Sequence, residues 1–156
     1  HRDLHSFPTR RSSDLSMLRV PGQRDEESRM LEKAQACLAR VGLSDSADSL
    51  AAALPYGKRR YLEIARALAA EPELIVLDEP SSGLNDAKTT ELSVLLKSLV
   101  EEGLSVFLIE HDMNLVDMVS DHVVVMQSGK KIAEGPMCEM RRNPKVIEAY
   151  LGSEED

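Results

Sequence analysis

Tryptophan is absent, and the remaining aromatics are three Tyr and two Phe, so any core must be built from Leu, Ile, Val, Ala and Met. The two cysteines, Cys37 and Cys138, stand far apart and without company. That excludes a disulfide-braced mini-domain and a Cys-based metal site, and it fits reduced thiols of a cytosolic protein. Basic residues are the minority, 19 Lys and Arg against 27 Asp and Glu, for a net charge of −8 with no dense basic stripe. A chain that grips nucleic acid by its own field is therefore not expected. No apolar run approaches the ~20 residues that span a bilayer, and the N-terminus has no apolar signal-peptide core. One further absence carries more weight. The phosphate-cradling pattern G-x-x-x-x-G-K-[ST] occurs nowhere in the 156 residues.

What is present is ordinary for about one globular domain, 42% hydrophobic and 29% charged. The first fifteen residues, HRDLHSFPTRRSSDL, are the exception, with no hydrophobic periodicity. Their sequence resembles, residue by residue, the translation of a common short-read sequencing adapter. Residues 1–15 are accordingly expected to be a non-native tail that plays no part in the fold. The coding sequence upstream, phosphate loop included, is expected to be missing for the same reason.

From there the chain alternates between helical and extended patterns. Asp25 to Val41 reads as an amphipathic helix with Met30, Ala34, Leu38 and Val41 on one stripe, acidic residues in its first turn and Gly42 as its stop. SDSADSL is a polar connection. LPYGKRRYLEIARALAAEP predicts a turn and a helix over about Gly57 to Ala70, ended by Pro72. Leu74–Leu77 is a short buried strand closed by Asp78 and Glu79. Asn85 is placed to cap a helix over Asp86–Glu101, with Leu92, Leu95, Leu96, Leu99 and Val100 at i, i+3, i+4, i+7 and i+8 and Gly103 as its stop. SVFLIE is a second buried strand, ending at Glu110 and His111. A short helix follows over about Asn114 to Ser120. HVVVMQ and KKIAEG read as a β-hairpin turning at Ser128-Gly129, and Asn143-Pro144 opens a last helix, KVIEAYL. Near-continuous apolar strands alternating with helices predict an α/β fold whose parallel sheet is covered on both faces. Cys138 and the stretch GPMCEM are expected to pack against the sheet, and His122 to be structural.

Singly, the chemical motifs are weak. Asp-Glu after a strand also suits a turn of solvated acids, His111 a surface position, and LPYGKRR a helix start with its basic residues in water. Their order is more informative. A glycine-containing turn opens a helix, then come a strand with Asp-Glu, SSGLN, a helix, and a strand with His. In open α/β sheets, ligands gather at the carboxyl ends of strands, where Asp78, Glu79 and His111 all fall.

From Leu54 onward the chain resembles the C-terminal part of the ATP-binding subunit of ATP-binding cassette (ABC) transporters. LPYGK is similar to the family's signature turn, LIVLDEP to its Walker B strand, SSGLN to its D-loop and IEHD to its switch histidine. The resemblance implies a partial P-loop-type nucleotide-binding domain over residues 16–152, with a parallel core sheet, a helical signature region and a C-terminal β-hairpin plus helix. Residues 153–156 remain as an acidic tail. It implies that Asp78 holds Mg²⁺ through water, that Glu79 polarises the water attacking ATP, and that His111 contacts the γ-phosphate. Pro80 is expected to restrict the backbone where the two carboxylates are aimed. Leu54, Pro55, Tyr56, Gly57 and Lys58 would meet the nucleotide of a second ATPase subunit in a head-to-tail dimer, with Ser81, Ser82, Gly83, Leu84 and Asn85 beside them.

The turn departs from the general signature, which carries Ser and two glycines where Pro55 and Tyr56 stand here. Lys58 replaces a more usual Gln or Glu, and Asn85 the usual Asp. LPYG, GLN and the ending NPKVIEAYLG are together most similar to the ATPases of branched-chain amino acid importers. Two transmembrane permease subunits and an extracytoplasmic substrate-binding protein would then be partners, with no nucleic acid. The ATPase would sit peripherally at the cytoplasmic face of a bacterial or archaeal inner membrane. Alternatives are an ABC ATPase of another amino acid, urea or lipopolysaccharide transporter, or a non-transport ABC ATPase. Without a phosphate cradle the isolated chain is expected to be inactive.

Overall fold

The computed structural model describes residues 23–151. The tail at 1–15 and the acidic end at 153–156 lie outside the described residues. In chain order the elements are α1 (Gln23–Arg40), α2 (Tyr56–Leu68), β1 (Leu74–Asp78), α3 (Asp86–Glu101), β2 (Ser105–Ile109), α4 (Met113–Val119), β3 (Val123–Gln127), β4 (Lys130–Gly135), α5 (Met137–Met140) and α6 (Pro144–Leu151). Two short 3₁₀ turns, Ser44–Ser46 and Ala51–Ala53, fill the connection from α1 to α2.

β1 and β2 pair in parallel, with Asp78 opposite Ile109, and α3 crosses between them. Asn85 caps α3 as its sequence position requires, its side chain accepting from the Lys88 amide at 3.0 Å. At the other end the Gly103 amide donates to the Val100 carbonyl and the Leu104 amide to the Leu99 carbonyl, a Schellman close. Between these ends Leu92, Leu95, Leu96 and Leu99 bury one stripe, and they meet Ile64, Leu68, Ile75 and Leu115 in the main core. Each such leucine contributes about 1.5–3 kcal/mol of burial. Val100, expected on the same stripe, is 44% exposed, because it lies at the edge of the face that α3 turns inward.

The sheet departs from expectation. Ile75 is buried and Leu77, Val106 and Leu108 pack against the core, but Leu74, Val76, Phe107 and Ile109 on the opposite face are 48–61% exposed. Unbroken apolar strands predict cover on both faces, and among the described residues only one face has it. The apolar character of the other face is what the sequence pattern registered. α1 departs in a similar way. Met30 is 66% exposed and Ala34 is exposed, while Cys37 and Val41 are buried and Leu38 is half-buried. The helix meets the core only through its last turns, so the outer half of the predicted stripe faces solvent. α2 ends at Leu68, two residues before the predicted Ala70, where Glu71 takes a left-handed φ of 50°.

β3 and β4 form the expected antiparallel hairpin. Ser128 and Gly129 turn it with φ of 50° and 75°, the signs that a two-residue hairpin turn requires. The hairpin covers a second small core of Val116, Met137, Met140 and Val146. In the single turn of α5, Met137 and Met140 point inward, which leaves Cys138 exposed rather than against the sheet. His122, just before β3, is exposed too.

Candidate functional site

Because β1 and β2 run parallel and in register, their carboxyl ends open on the same edge. The Glu79 amide extends the ladder by donating to the Ile109 carbonyl at 2.9 Å. Its backbone then turns with φ of 44°. A residue before proline favours extended backbone, so Pro80 does not set this conformation in the expected way. A left-handed non-glycine residue costs on the order of 1–3 kcal/mol and persists only where its surroundings hold it. The turn brings Glu79 to His111 from the other strand, with Oε1 at 3.5 Å from Nδ1. Both side chains are open, 54% and 72% exposed, and Asp78 beside them is exposed as well. A carboxylate and an imidazole thus face solvent together at the strand ends.

Glu110, read in the sequence only as the end of a strand, lies beneath this pair with no exposed side-chain surface. Its Oε1 accepts from the Ser81 amide at 3.0 Å and the Ser81 hydroxyl at 2.5 Å. Its Oε2 accepts from the amides of His111 at 2.9 Å and Asp112 at 3.2 Å. Burial pushes the carboxyl up, but these donors outweigh it and hold it below the usual carboxylate range. The available signal was the Glu-His-Asp string itself, a charged residue placed where the apolar strand had not fully surfaced. Tyr150 on α6 was also missed. Its hydroxyl donates to the His111 carbonyl at 3.2 Å, tying the last helix to this loop.

The second group of predicted residues gathers around the start of α2. Pro55 stands at its N-cap position without a side-chain cap, whereas Asn85 and Asp112 cap α3 and α4. The first amides of α2 are therefore left to solvent or an anion. Tyr56 crosses Gly83, where an added Cβ would stand 2.9 Å from the ring, and Gly57 faces Leu84. Lys58 reaches Ser46 Oγ at 3.0 Å. The structure thus brings Tyr56 and Gly57 against Gly83 and Leu84 within one chain. Leu54 and Ser81 turn inward, 8% and 6% exposed, while Ser82 and Leu84 are half-buried and Asn85 serves its helix.

Among the described residues no cluster of three metal-ligating side chains exists. Asp78 alone fits a hard cation that keeps most of its water and phosphate ligands, as Mg²⁺ does. No helix among the described residues is long and apolar enough to cross a membrane.

Comparison with known proteins points one way. Residues 3–82 match the model of the ABC transporter family, and residues 130–156 match that of the branched-chain amino acid ATP-binding cassette transporter. The chain is 43% identical over 137 residues to the high-affinity branched-chain amino acid transport ATP-binding protein LivG of Salmonella typhimurium, covering 87% of this chain and 54% of that protein. A structure of an ATP-binding cassette of an ABC transporter in its ADP conformation superposes with a TM-score of 0.74 at 34% identity, covering 80% of this chain and 50% of the other. A dimeric bacterial ABC transporter cassette matches with a TM-score of 0.63 at 29% identity, over 72% of this chain and 48% of its own. The chain therefore spans about half the length of the relatives it matches. With half its length matched to the family model and its strand-end residues in the predicted order, the chain belongs to the ABC transporter family of ATP-binding cassettes.

Proposed function

We propose that residues 16–152 are the C-terminal part of the ATP-binding subunit of an ABC importer, and that the intact subunit hydrolyses ATP to drive uptake of branched-chain amino acids. The observation that carries this reading is the meeting of Glu79 and His111 at the open carboxyl ends of two parallel strands. Phosphoryl transfer depends mostly on positioning and charge. When bound, ATP with Mg²⁺ supplies the reacting phosphoryl group and the neutralising charge. Asp78 would hold the cation through its water. Glu79 accepts a hydrogen bond from the attacking water and orients it. His111 would contact the terminal phosphate beside Glu79, which lies 3.5 Å from its ring.

The uncapped start of α2, with Tyr56, Gly57 and Lys58, offers amides and a positive helix end to an anion. In a head-to-tail dimer that anion would be the nucleotide held by the second ATPase subunit, and the dimeric cassette above supports a dimer. The apolar face of Leu74, Val76, Phe107 and Ile109 supports a place for the rest of the cassette, which includes the phosphate loop. Two permease subunits and an extracytoplasmic binding protein complete the importer at the cytoplasmic face of the membrane. The cargo rests on the similarity to LivG and on the match over residues 130–156.

Two measurements test the reading. The full-length gene, expressed with its genomic neighbours, should drive ATP-dependent uptake of leucine, isoleucine or valine; transport of a lipid or sugar instead would overturn the cargo. Calorimetric titration of the present chain with Mg-ATP should show no tight binding, and submicromolar affinity would reveal a phosphate site that this account lacks.

A further inference from the structure

The charged and titratable groups at the strand ends, Asp78, Glu79, Glu110 and His111, are not equivalent. Glu79 and His111 face solvent and are free to meet a ligand, whereas the Glu110 side chain is wholly covered. A carboxylate out of water is strongly disfavoured unless its lone pairs are satisfied. Those of Glu110 are satisfied in a particular way. Among the described residues, Oε1 accepts from Ser81, in the loop that follows β1, and Oε2 from the His111 and Asp112 amides, in the loop that follows β2. We propose that Glu110 is a positioning residue that latches these two loops together and so sets the approach of Glu79 to His111.

Three features of the site support this. Glu79 lies two residues before Ser81 and holds a left-handed backbone that it does not favour, so the chain on its C-terminal side must be anchored. The Ser82 amide on the Glu79 carbonyl, at 3.1 Å, closes the same turn. His111 follows Glu110 directly; its amide donates to Glu110 Oε2 at 2.9 Å, and its ring Nδ1 stands 3.6 Å from that same oxygen. Ser81 is buried with its hydroxyl on Glu110, so this serine is spent inside the protein rather than offered to nucleotide. The inference rests on the ATPase reading for its purpose, though not for its geometry.

The test uses the present chain, isotopically labelled, and reads His111 from a distance. Ser81 donates to Glu110, which in turn accepts from the His111 and Asp112 amides, so Ser81 reaches those two amides through Glu110. In Ser81→Ala, hydrogen exchange at the His111 and Asp112 amides should rise roughly tenfold, the scale of one lost charge-assisted hydrogen bond. The His111 ring resonances should shift as well. Ser81→Thr, which keeps the hydroxyl, should restore both. Glu110→Gln should exceed Ser81→Ala, since its amide nitrogen sets a donor against donors. If Glu110→Gln does not fold, the Ser81 pair decides alone. Changes confined to residues 80–83, with His111 and Asp112 undisturbed, would overturn the latch. None of these readouts involves nucleotide, so the latch and the ATPase reading fail separately. In an intact cassette Ser81→Ala should lower kcat with the KM for ATP unchanged, and a raised KM at unchanged kcat would contradict a positioning role.

Discussion

Replacing Gly83 by alanine should show how tightly the turn before α2 is held against the loop after β1. Two penalties apply. Gly83 has φ of 75°, so alanine there meets left-handed backbone strain of about 1–2 kcal/mol. Its Cβ would also stand 2.9 Å from Tyr56 Cε1, closer than side-chain carbons approach, so the ring must move. Tyr56 is 48% exposed and can swing outward. Doing so gives up its hydrogen bond from Arg60 at 2.8 Å and the guanidinium stacked 5.3 Å above the ring. Those are worth about 0.5–1.5 kcal/mol and about 0.5–1 kcal/mol. The total is roughly 2–4.5 kcal/mol. Gly129 supplies the control, with the same φ of 75° and nothing within 4 Å of an added Cβ. Gly129→Ala should therefore cost the strain alone, about 1–2 kcal/mol. The effect of alanine on the unfolded chain is common to both and cancels. Urea denaturation of the two variants at matched m-values gives the difference, and in a Tyr56→Ala background that difference should vanish. Equal midpoints for Gly83→Ala and Gly129→Ala in the otherwise native chain would refute the contact.

Leu99, with no exposed surface at the centre of the main core, should cost about 2–5 kcal/mol when cut to alanine, read by the same denaturation. A thiol reagent should label Cys138 in the native protein and reach Cys37 only on unfolding, because the first is exposed and the second 7% exposed; equal rates would place α1 away from the core. Glu110 is held below its ordinary value of 4.5, so its contribution to stability is complete above that pH and is lost as pH falls through the lower folded value. Glu110→Gln should therefore destabilise the protein near neutrality and progressively less as pH falls below 4.5, and a penalty independent of pH would mean that the carboxylate charge is not what the donors bind.

The elements were legible where a local signal had one meaning. The stripe of Leu92, Leu95, Leu96 and Leu99, the Asn85 cap and Gly103 fix α3 to the residue, and Ser128-Gly129 between two short strands fixes the hairpin. The failures share a cause. Hydrophobic pattern records which faces are apolar, not whether anything in the same chain covers them, so α1 and the outer face of the sheet were read as buried. One turn of helix in GPMCEM is too short for periodicity to separate Met137 and Met140 from Cys138. At the site, Asp78, Glu79 and His111 were visible because a known order of motifs flanks them. Glu110 was not, since its role lies in bonds to Ser81, 29 residues away, which no spacing announces.

Joint action of Glu79 and His111 on a phosphate at the strand ends is what the site geometry requires of an ATPase. It is tested most directly by joining residues 16–156 to the N-terminal part of a relative and measuring steady-state ATP hydrolysis. Glu79→Gln should bind ATP but lose on the order of 10²–10⁴ in rate, the usual contribution of a positioned base, and His111→Ala should also turn over more slowly. Hydrolysis at the unsubstituted rate in both variants would contradict the account.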